Sequence, residues 1–362
     1  MTTHYLHTLD KYFNNYNNKS LVETYILNPK ISVWDIYVFL IIFIGIIIIR
    51  FLVVGIDRDK LKKGSILFKR CNQSVLDKIN YKMNISKDGL EYKWKENFWY
   101  ALWHTFSFLY NFILLLSMSG YFDNKNGWVK MCLKETSGKW FFLVTEDEYN
   151  ENKRGWPYMY ISNYVYYFYI LQISYWSSCL FYLKFEKKRK DYYIMTLHHL
   201  STISLLTYSH MLNFWRVGLV ILFVHDVVDI SLYISKTISY SKPQYRFFLN
   251  IFYALFVLSY FFFRIILYLF YVVMPLSDIS EIRIYTNGFV NSHFDVPGVV
   301  IQLACMWLLM IMHCYWFCLI IKMTHVFIKQ SLKNEEIVDV RSDDEDEKIT
   351  KNKSEKKKLK YY

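Results

Sequence analysis

From Met195 to Lys236 the chain reads MTLHHLSTISLLTYSHMLNFWRVGLVILFVHDVVDISLYISK, an apolar stretch long enough to cross a bilayer twice. One helical crossing needs about 20 apolar residues. Hydrocarbon leaves no partner for free backbone amides, so such a stretch reads as membrane helix. A tight helical hairpin follows, with Leu212 and Asn213 as its turn. Yet the stretch carries His198, His199, His225, Asp226 and Asp229 well inside it. Each ionisable group costs roughly 2.5–3.5 kcal/mol at the centre of a membrane helix, and such groups persist where they face one another or a wet cavity. Five of them in two adjacent spans mark a functional site.

The rest of the chain has the same character. Its 362 residues are 54% hydrophobic and 20% aromatic, which sets it apart from an ordinary soluble domain. Seven runs are long enough to span, at about 33–55, 98–119, 159–183, 192–211, 214–235, 247–275 and 299–326. The expected fold class is an all-α polytopic membrane protein of about seven transmembrane helices. The first thirty residues are polar and show no cleavable signal peptide, so the first span is expected to act as the targeting signal. The six cysteines form no CxxC pair and read as small core residues rather than a disulfide framework or metal site.

Charge sets the expected orientation. Eleven Lys or Arg lie in 56–97, and five more in the turn KFEKKRKD at 184–191. Lys236, Lys242 and Arg246 follow in the next basic turn, whereas 276–298 holds only Arg283. Basic connections stay cytosolic, which places the N-terminus in the lumen and the C-terminus in the cytosol. The chain then divides into a luminal segment (1–32), a first anchor (33–55), a basic cytosolic linker (56–90), a helical domain (91–326) and a charged tail (327–362) expected to be disordered. Asn18 is the one sequon on the luminal side, a candidate for glycosylation. Ser342, ahead of DDEDE, resembles an acidophilic-kinase site, and the terminal KLKYY resembles a dilysine signal for retrieval to the endoplasmic reticulum. Lipid bilayer is the expected environment, and no nucleic-acid partner is expected.

Helical spacing decides which polar groups cooperate. His225 and Asp229 are four apart on one face, and Asp226 shares an adjoining face. His198 lies one turn from Thr202. Packed as an antiparallel hairpin, the His pair meets the His-Asp-Asp group at similar depth. Three chemistries use such a cluster: metal binding, proton or ion transport, and general-base or nucleophilic catalysis on a lipid. No HxxxH or HxxHH box of a di-iron enzyme is present, and no internal repeat of a transporter. Tight helix packing alone accounts for Ser and Thr here but not for three His and two Asp.

These residues resemble the longevity-assurance (Lag1) motif of ceramide synthases, which lies inside the TLC domain. The positions that carry the resemblance are His198, His199, Thr202, Asn213, Arg216, Gly218, His225, Asp226, Asp229 and Lys236. Upstream, KRKDYYIMTLHH, Trp156-Pro157, the aromatic run at 166–176, and Lys93, Glu96 and Trp99 are similar to the same family. The resemblance covers about 91–326; Tyr233 stands where Glu is common and His210 where Tyr is usual.

The resemblance implies an acyl-CoA-dependent sphingosine N-acyltransferase of the endoplasmic reticulum membrane. Spans two to seven would form a TLC-type bundle around a substrate tunnel. Its partners would be a sphingoid base and a fatty acyl-CoA, the latter a co-substrate, with no resident cofactor or metal and with room for a homo- or hetero-dimer. His198, His199, His225, Asp226 and Asp229 are the expected catalytic set. One of the paired imidazoles would act as general base or attack the thioester, and the carboxylates would orient the imidazoles and counter the substrate ammonium. Lys188, Arg189, Lys190 and Lys236 would meet the phosphates of CoA, and Thr202 and Asn213 would contribute to substrate binding. The loop at 276–298 would influence chain length. The alternative is a non-catalytic TLC-domain protein that binds lipid or associates with the translocon.

Overall fold

Because the apolar runs must satisfy their own backbone, each becomes a helix bounded by polar turns. The computed structural model describes residues 33–55, 74–87, 90–118, 141–142, 156, 161–184, 191–286, 290–296 and 298–332. Among these the fold is all-α: α1 (Val33–Val54), α2 (Val75–Met83), α3 (Glu91–Met118), α4 (Asn163–Leu183), α5 (Tyr192–Met211) and α6 (Trp215–Ser239). Next comes α7, which is α-helical over Arg246–Ser259, π-helical over Tyr260–Leu267 and Leu269–Val273, and α-helical again over Met274–Ser277. The short α8 (Ile279–Tyr285) and the long α9 (Val299–Leu332) follow. The only strand-like pairing among the described residues is an isolated bridge between Ser86 and Ser241.

Among the described residues four helices are long and apolar enough to cross a membrane by length and composition: Val33–Val54, Trp215–Ser239, Phe247–Ser277 and Val299–Val326. The expected spans at 98–119 and 159–183 overlap α3 and α4, and that at 192–211 coincides with α5. Those three carry more His, Asn, Ser and Tyr, so their composition alone does not mark them as spans.

Six of the long helices close a ring in the order α3, α4, α5, α9, α7, α6 and back to α3. Large apolar side chains cover the outside, among them Leu102, Phe106, Leu109 and Ile113 of α3. The polar residues turn inward, with His104, Ser107, Asn111, Gln172 and His313 all buried. That inversion of a soluble bundle is what a lipid solvent favours.

Helix α1 packs outside the ring, along α4 and α3. It is fastened by polar contacts at both ends. The Tyr166 hydroxyl donates to Asp35, and Tyr182 Oη donates to the Ile47 carbonyl at 2.9 Å. Arg50 pairs with Glu96 at 3.3 Å and lies 3.8 Å from the centre of the Tyr182 ring. The opposite face of α1, including Trp34, Ile41, Ile48 and Leu52, is exposed.

Candidate active site

The α5–α6 hairpin sets the depth of the site. Asn213 adopts a left-handed conformation, φ 61°, which a short polar side chain tolerates better than most. The Phe214 amide then closes the turn on the Ser209 carbonyl at 2.8 Å, and Trp156 Nε1 donates to the Leu212 carbonyl at 2.9 Å. His198 precedes Leu212 by fourteen residues and Asp226 follows it by fourteen. At roughly 1.5 Å per residue both lie about 21 Å from the turn. The structure therefore brings the two halves of the motif to one level.

The carboxylates, however, do not reach the imidazoles of α5. Asp226 Oδ1 lies 2.7 Å from His104 Nδ1, and Oδ2 accepts from Ser107 Oγ at 2.5 Å. Gln172 of α4 donates in turn to Ser107 Oγ at 2.6 Å. Asp229 Oδ1 accepts from Arg264 at 2.7 Å, and its other oxygen is 3.9 Å from His104 Nδ1. Arg264 also donates to the His225 carbonyl at 3.3 Å. The expectation that these aspartates orient His198 or His199 gives way to a network anchored on α3 and α7. The reason is geometric: α3 packs along α6 and presents His104, Ser107 and Asn111 as one stripe, three and four residues apart. Asn111 completes the stripe by donating to the Leu219 carbonyl at 2.8 Å.

Arg264 lies within the first π-helical segment of α7. Wide turns of this kind arise where the α-helical register is interrupted, frequently at functional sites. Here the segment faces α6, and its arginine neutralises the buried Asp229. Among the described residues no group of three or more His, Cys, Asp or Glu converges as a metal-ligand set.

The imidazoles form a second, less polar group. His225 Nδ1 lies 2.7 Å from the Ile221 carbonyl, which can only accept, so Nδ1 carries the proton. The other nitrogen of His225 is 3.1 Å from His313 Nε2 on α9. In a neutral pair His225 Nε2 accepts and His313 Nε2 donates. Tyr268 lies edge-on to both rings, and its hydroxyl donates to the Met306 carbonyl. The His198 ring is edge-on to Trp176 at 5.9 Å and to Trp316 at 5.4 Å. Its Nδ1 is buried and has no hydrogen-bond partner among the described residues.

Two cavities meet this site. The larger, about 110 Å³, has His198 and His225 on its wall and a mainly apolar lining, with Thr202, Ser209, His293 and Gln302 among the apolar residues. It extends towards the hairpin turn, where Phe142, Trp156, Phe214, Ile282 and Val290 line it. The smaller, about 40 Å³, has His199 and His104 on its wall and extends the other way, to Asp191 and Tyr192. Trp176 lines both. Adjacent histidines therefore face different spaces, since successive side chains on a helix diverge by about 100°.

A family model of the TLC domain matches residues 93–322, well over half of the chain. The chain belongs to the TLC-domain family. The relatives found for it are ceramide synthases and a related plant protein. Human "Ceramide synthase 3" is 33% identical over 188 residues, 50% of this chain and 43% of the relative. "Ceramide synthase LOH2" of Arabidopsis thaliana is 29% identical over 188 residues, 49% of this chain and 60% of the relative. "ASC1-like protein 3" of Oryza sativa subsp. japonica is 30% identical over 230 residues, covering 63% of this chain and 75% of the relative. This TLC-domain protein is thus a member of the ceramide synthase family, and its match spans about half the length of the human and Arabidopsis relatives.

Within the TLC domain the expected site residues fall into three groups. His198 and His225 line the larger cavity and His199 the smaller, while Asp226 and Asp229 are buried and line neither. Thr202 lines the larger cavity while its hydroxyl donates to its own helix, at the His198 carbonyl, 2.9 Å away. Asn213 shapes the hairpin turn and Lys236 lies half-buried near the opposite end of α6; neither lines either cavity. Lys188, Arg189, Lys190, Asn18 and Ser342 lie outside the described residues. His104, Ser107, Gln172 and Arg264 were not singled out from the sequence. The signal was available in the form already used for α6, a polar or ionisable residue inside an apolar run.

Proposed function

We propose that this TLC-domain protein transfers a fatty acyl group from acyl-CoA to the amine of a sphingoid base in the endoplasmic reticulum membrane, giving ceramide or dihydroceramide. The observation that carries the reading is the placement of His198 and His225 on the wall of a long apolar cavity. An acyl chain suits that cavity, with its carbonyl at the imidazole end. The names of the relatives supply the reaction class.

A protonated amine cannot attack a thioester, so the site must take a proton and stabilise an oxyanion. The covalent route fits these residues best. A nitrogen of His198 attacks the thioester carbon, the C–S bond breaks and CoA leaves as a thiolate. The deprotonated amine then attacks the acyl-imidazole, the carbon–imidazole bond breaks and His198 is restored, while the amine proton passes to a neighbouring imidazole. Packing of His198 between two indole rings keeps water from the acyl-imidazole. His225, whose Nε2 holds the lone pair facing His313 and whose one proton is already given to the Ile221 carbonyl, stands as the second proton acceptor rather than an oxyanion donor. Asp226 and Asp229, already engaged by His104 and Arg264, set the position and charge of that wall.

In this reading all seven long helices span the membrane, with the hairpin turn luminal and the basic connections cytosolic. On that topology Lys188, Arg189, Lys190 and Lys236 belong to cytosolic connections and would meet the phosphates of CoA, which stay in water. Leu276, Ile282, Val290 and Val296 line the cavity beyond the hairpin turn, which supports an influence of these residues on acyl length.

The test is ceramide formation by microsomes given dihydrosphingosine and a panel of acyl-CoAs. Wild type is expected to form product, His198→Ala none, and Asp226→Asn much less, at equal protein levels. No product from abundant wild-type protein with any acyl-CoA would favour a non-catalytic lipid-binding member of the family.

A further inference from the structure

The smaller cavity contains a buried carboxylate that the chemistry above does not use. Asp191 is the N-cap residue of α5, where an aspartate ordinarily accepts from the amides of the first turn. It makes no such bond. The residue lines the small cavity and is only 8% exposed, and Oδ1 has no hydrogen-bond partner among the described residues. An ionised carboxylate so placed is costly unless a cation meets it.

We propose that the small cavity is the recognition site for the ammonium group of the long-chain amine, with Asp191 as its anion. This rests on the acyltransferase reading. A primary ammonium brings three N–H donors and no acceptor, which suits a lone carboxylate among aromatic rings. Tyr100, Tyr192 and Tyr233 line the same space, and aromatic faces add attraction for a cation. The pantetheine arm of CoA is neutral, so its amide N–H and hydroxyl donors gain less from a buried carboxylate than an ammonium does.

The location also orders the reaction. Asp191 and His199 are eight residues apart on α5, about 12 Å along its axis, with Met195 between them in the lining. The amine is held as an ammonium at Asp191, then moves inward to His199 and His104, where it loses its proton. His104 is backed by Asp226 at 2.7 Å, which stabilises an imidazolium there. Trp176 separates this space from the acyl cavity, its indole 5.5 Å from the His199 ring and 5.9 Å from that of His198. The two substrates thus occupy separate compartments that meet at Trp176.

Full-length protein in microsomes and in purified, detergent-solubilised form tests this. With acyl-CoA saturating, Asp191→Asn is expected to raise KM for dihydrosphingosine about tenfold, the order of one hydrogen bond to a charged group, and to leave KM for acyl-CoA within about twofold. Asp191→Glu should recover part of the loss. Met195→Trp, which fills the passage and leaves the carboxylate, should raise the same KM. Independently of turnover, purified wild type should bind fluorescent sphinganine more tightly than its neutral N-acetyl analogue, and Asp191→Asn should lose that preference. A raised KM for acyl-CoA instead, or an unchanged preference for the charged ligand in Asp191→Asn, would overturn the assignment. Absence of any N-acyl product from wild type counts against the acyltransferase reading, while the binding comparison still tests the ammonium site.

Discussion

Gly218 of α6 lies against the Tyr169 side chain of α4 with no room for a Cβ, so its replacement by alanine has a cost that can be worked out. A Cβ there would lie 1.8 Å from Tyr169 Oη, 2.8 Å from its Cζ and 3.2 Å from Ser209 Oγ. Ordinary contact is about 3.5 Å or more, so the phenol would have to withdraw by more than 1 Å. Tyr169 is fully buried and its hydroxyl donates to the Trp215 carbonyl at 2.8 Å. Overpacking of this kind costs about 1–3 kcal/mol. Losing the buried hydroxyl bond adds about 1–3 kcal/mol. The better helix propensity of alanine returns about 1 kcal/mol. Gly218→Ala should therefore destabilise the fold by about 3 kcal/mol, read as a lower melting midpoint in detergent by tryptophan fluorescence. Tyr169→Phe removes the atom that clashes and should cost about 1 kcal/mol by itself. The double variant should be more stable than the sum of the two by about 1–3 kcal/mol, because one loss is shared. Strictly additive costs, or a Gly218→Ala protein as stable as wild type, would refute the packing argument.

Arg264→Leu should destabilise the protein by about 3–5 kcal/mol, since Asp229 is left buried without its partner. Adding Asp229→Asn should restore part of that loss, and the same melting assay checks both. At the hairpin turn Asn213→Gly should be more stable than Asn213→Ala by about 1 kcal/mol, because only glycine takes the left-handed backbone without penalty. Equal midpoints for these two variants would count against the turn geometry.

The all-helical fold was legible because lipid narrows the choices. Seven apolar runs have to be helices, and the run at 192–211 coincides with α5. Where the edges differ, tertiary contact explains it. Helix α3 begins at Glu91, seven residues before the apolar run, because Trp94 donates to Ser241 at 3.1 Å and Glu96 meets Arg50. On α6 and α5 the site was legible because spacing of three and four places residues on one face whatever they pack against.

The sequence by itself determined that five ionisable groups share one level of a helical hairpin, since the rise per residue and a two-residue turn leave no other outcome. It also determined the family, because these polar positions recur at fixed separations along one continuous stretch. Only the tertiary structure decided which group serves which. His104 and Asp226 are 122 residues apart, and His225 and His313 are 88 apart. Nothing local in either segment encodes those distances. The order in which the helices close the ring brings α3 and α7 to the carboxylates and α9 to the imidazoles. That order is set by packing of side chains over the whole bundle, and it also turns His198 and His199 into different cavities.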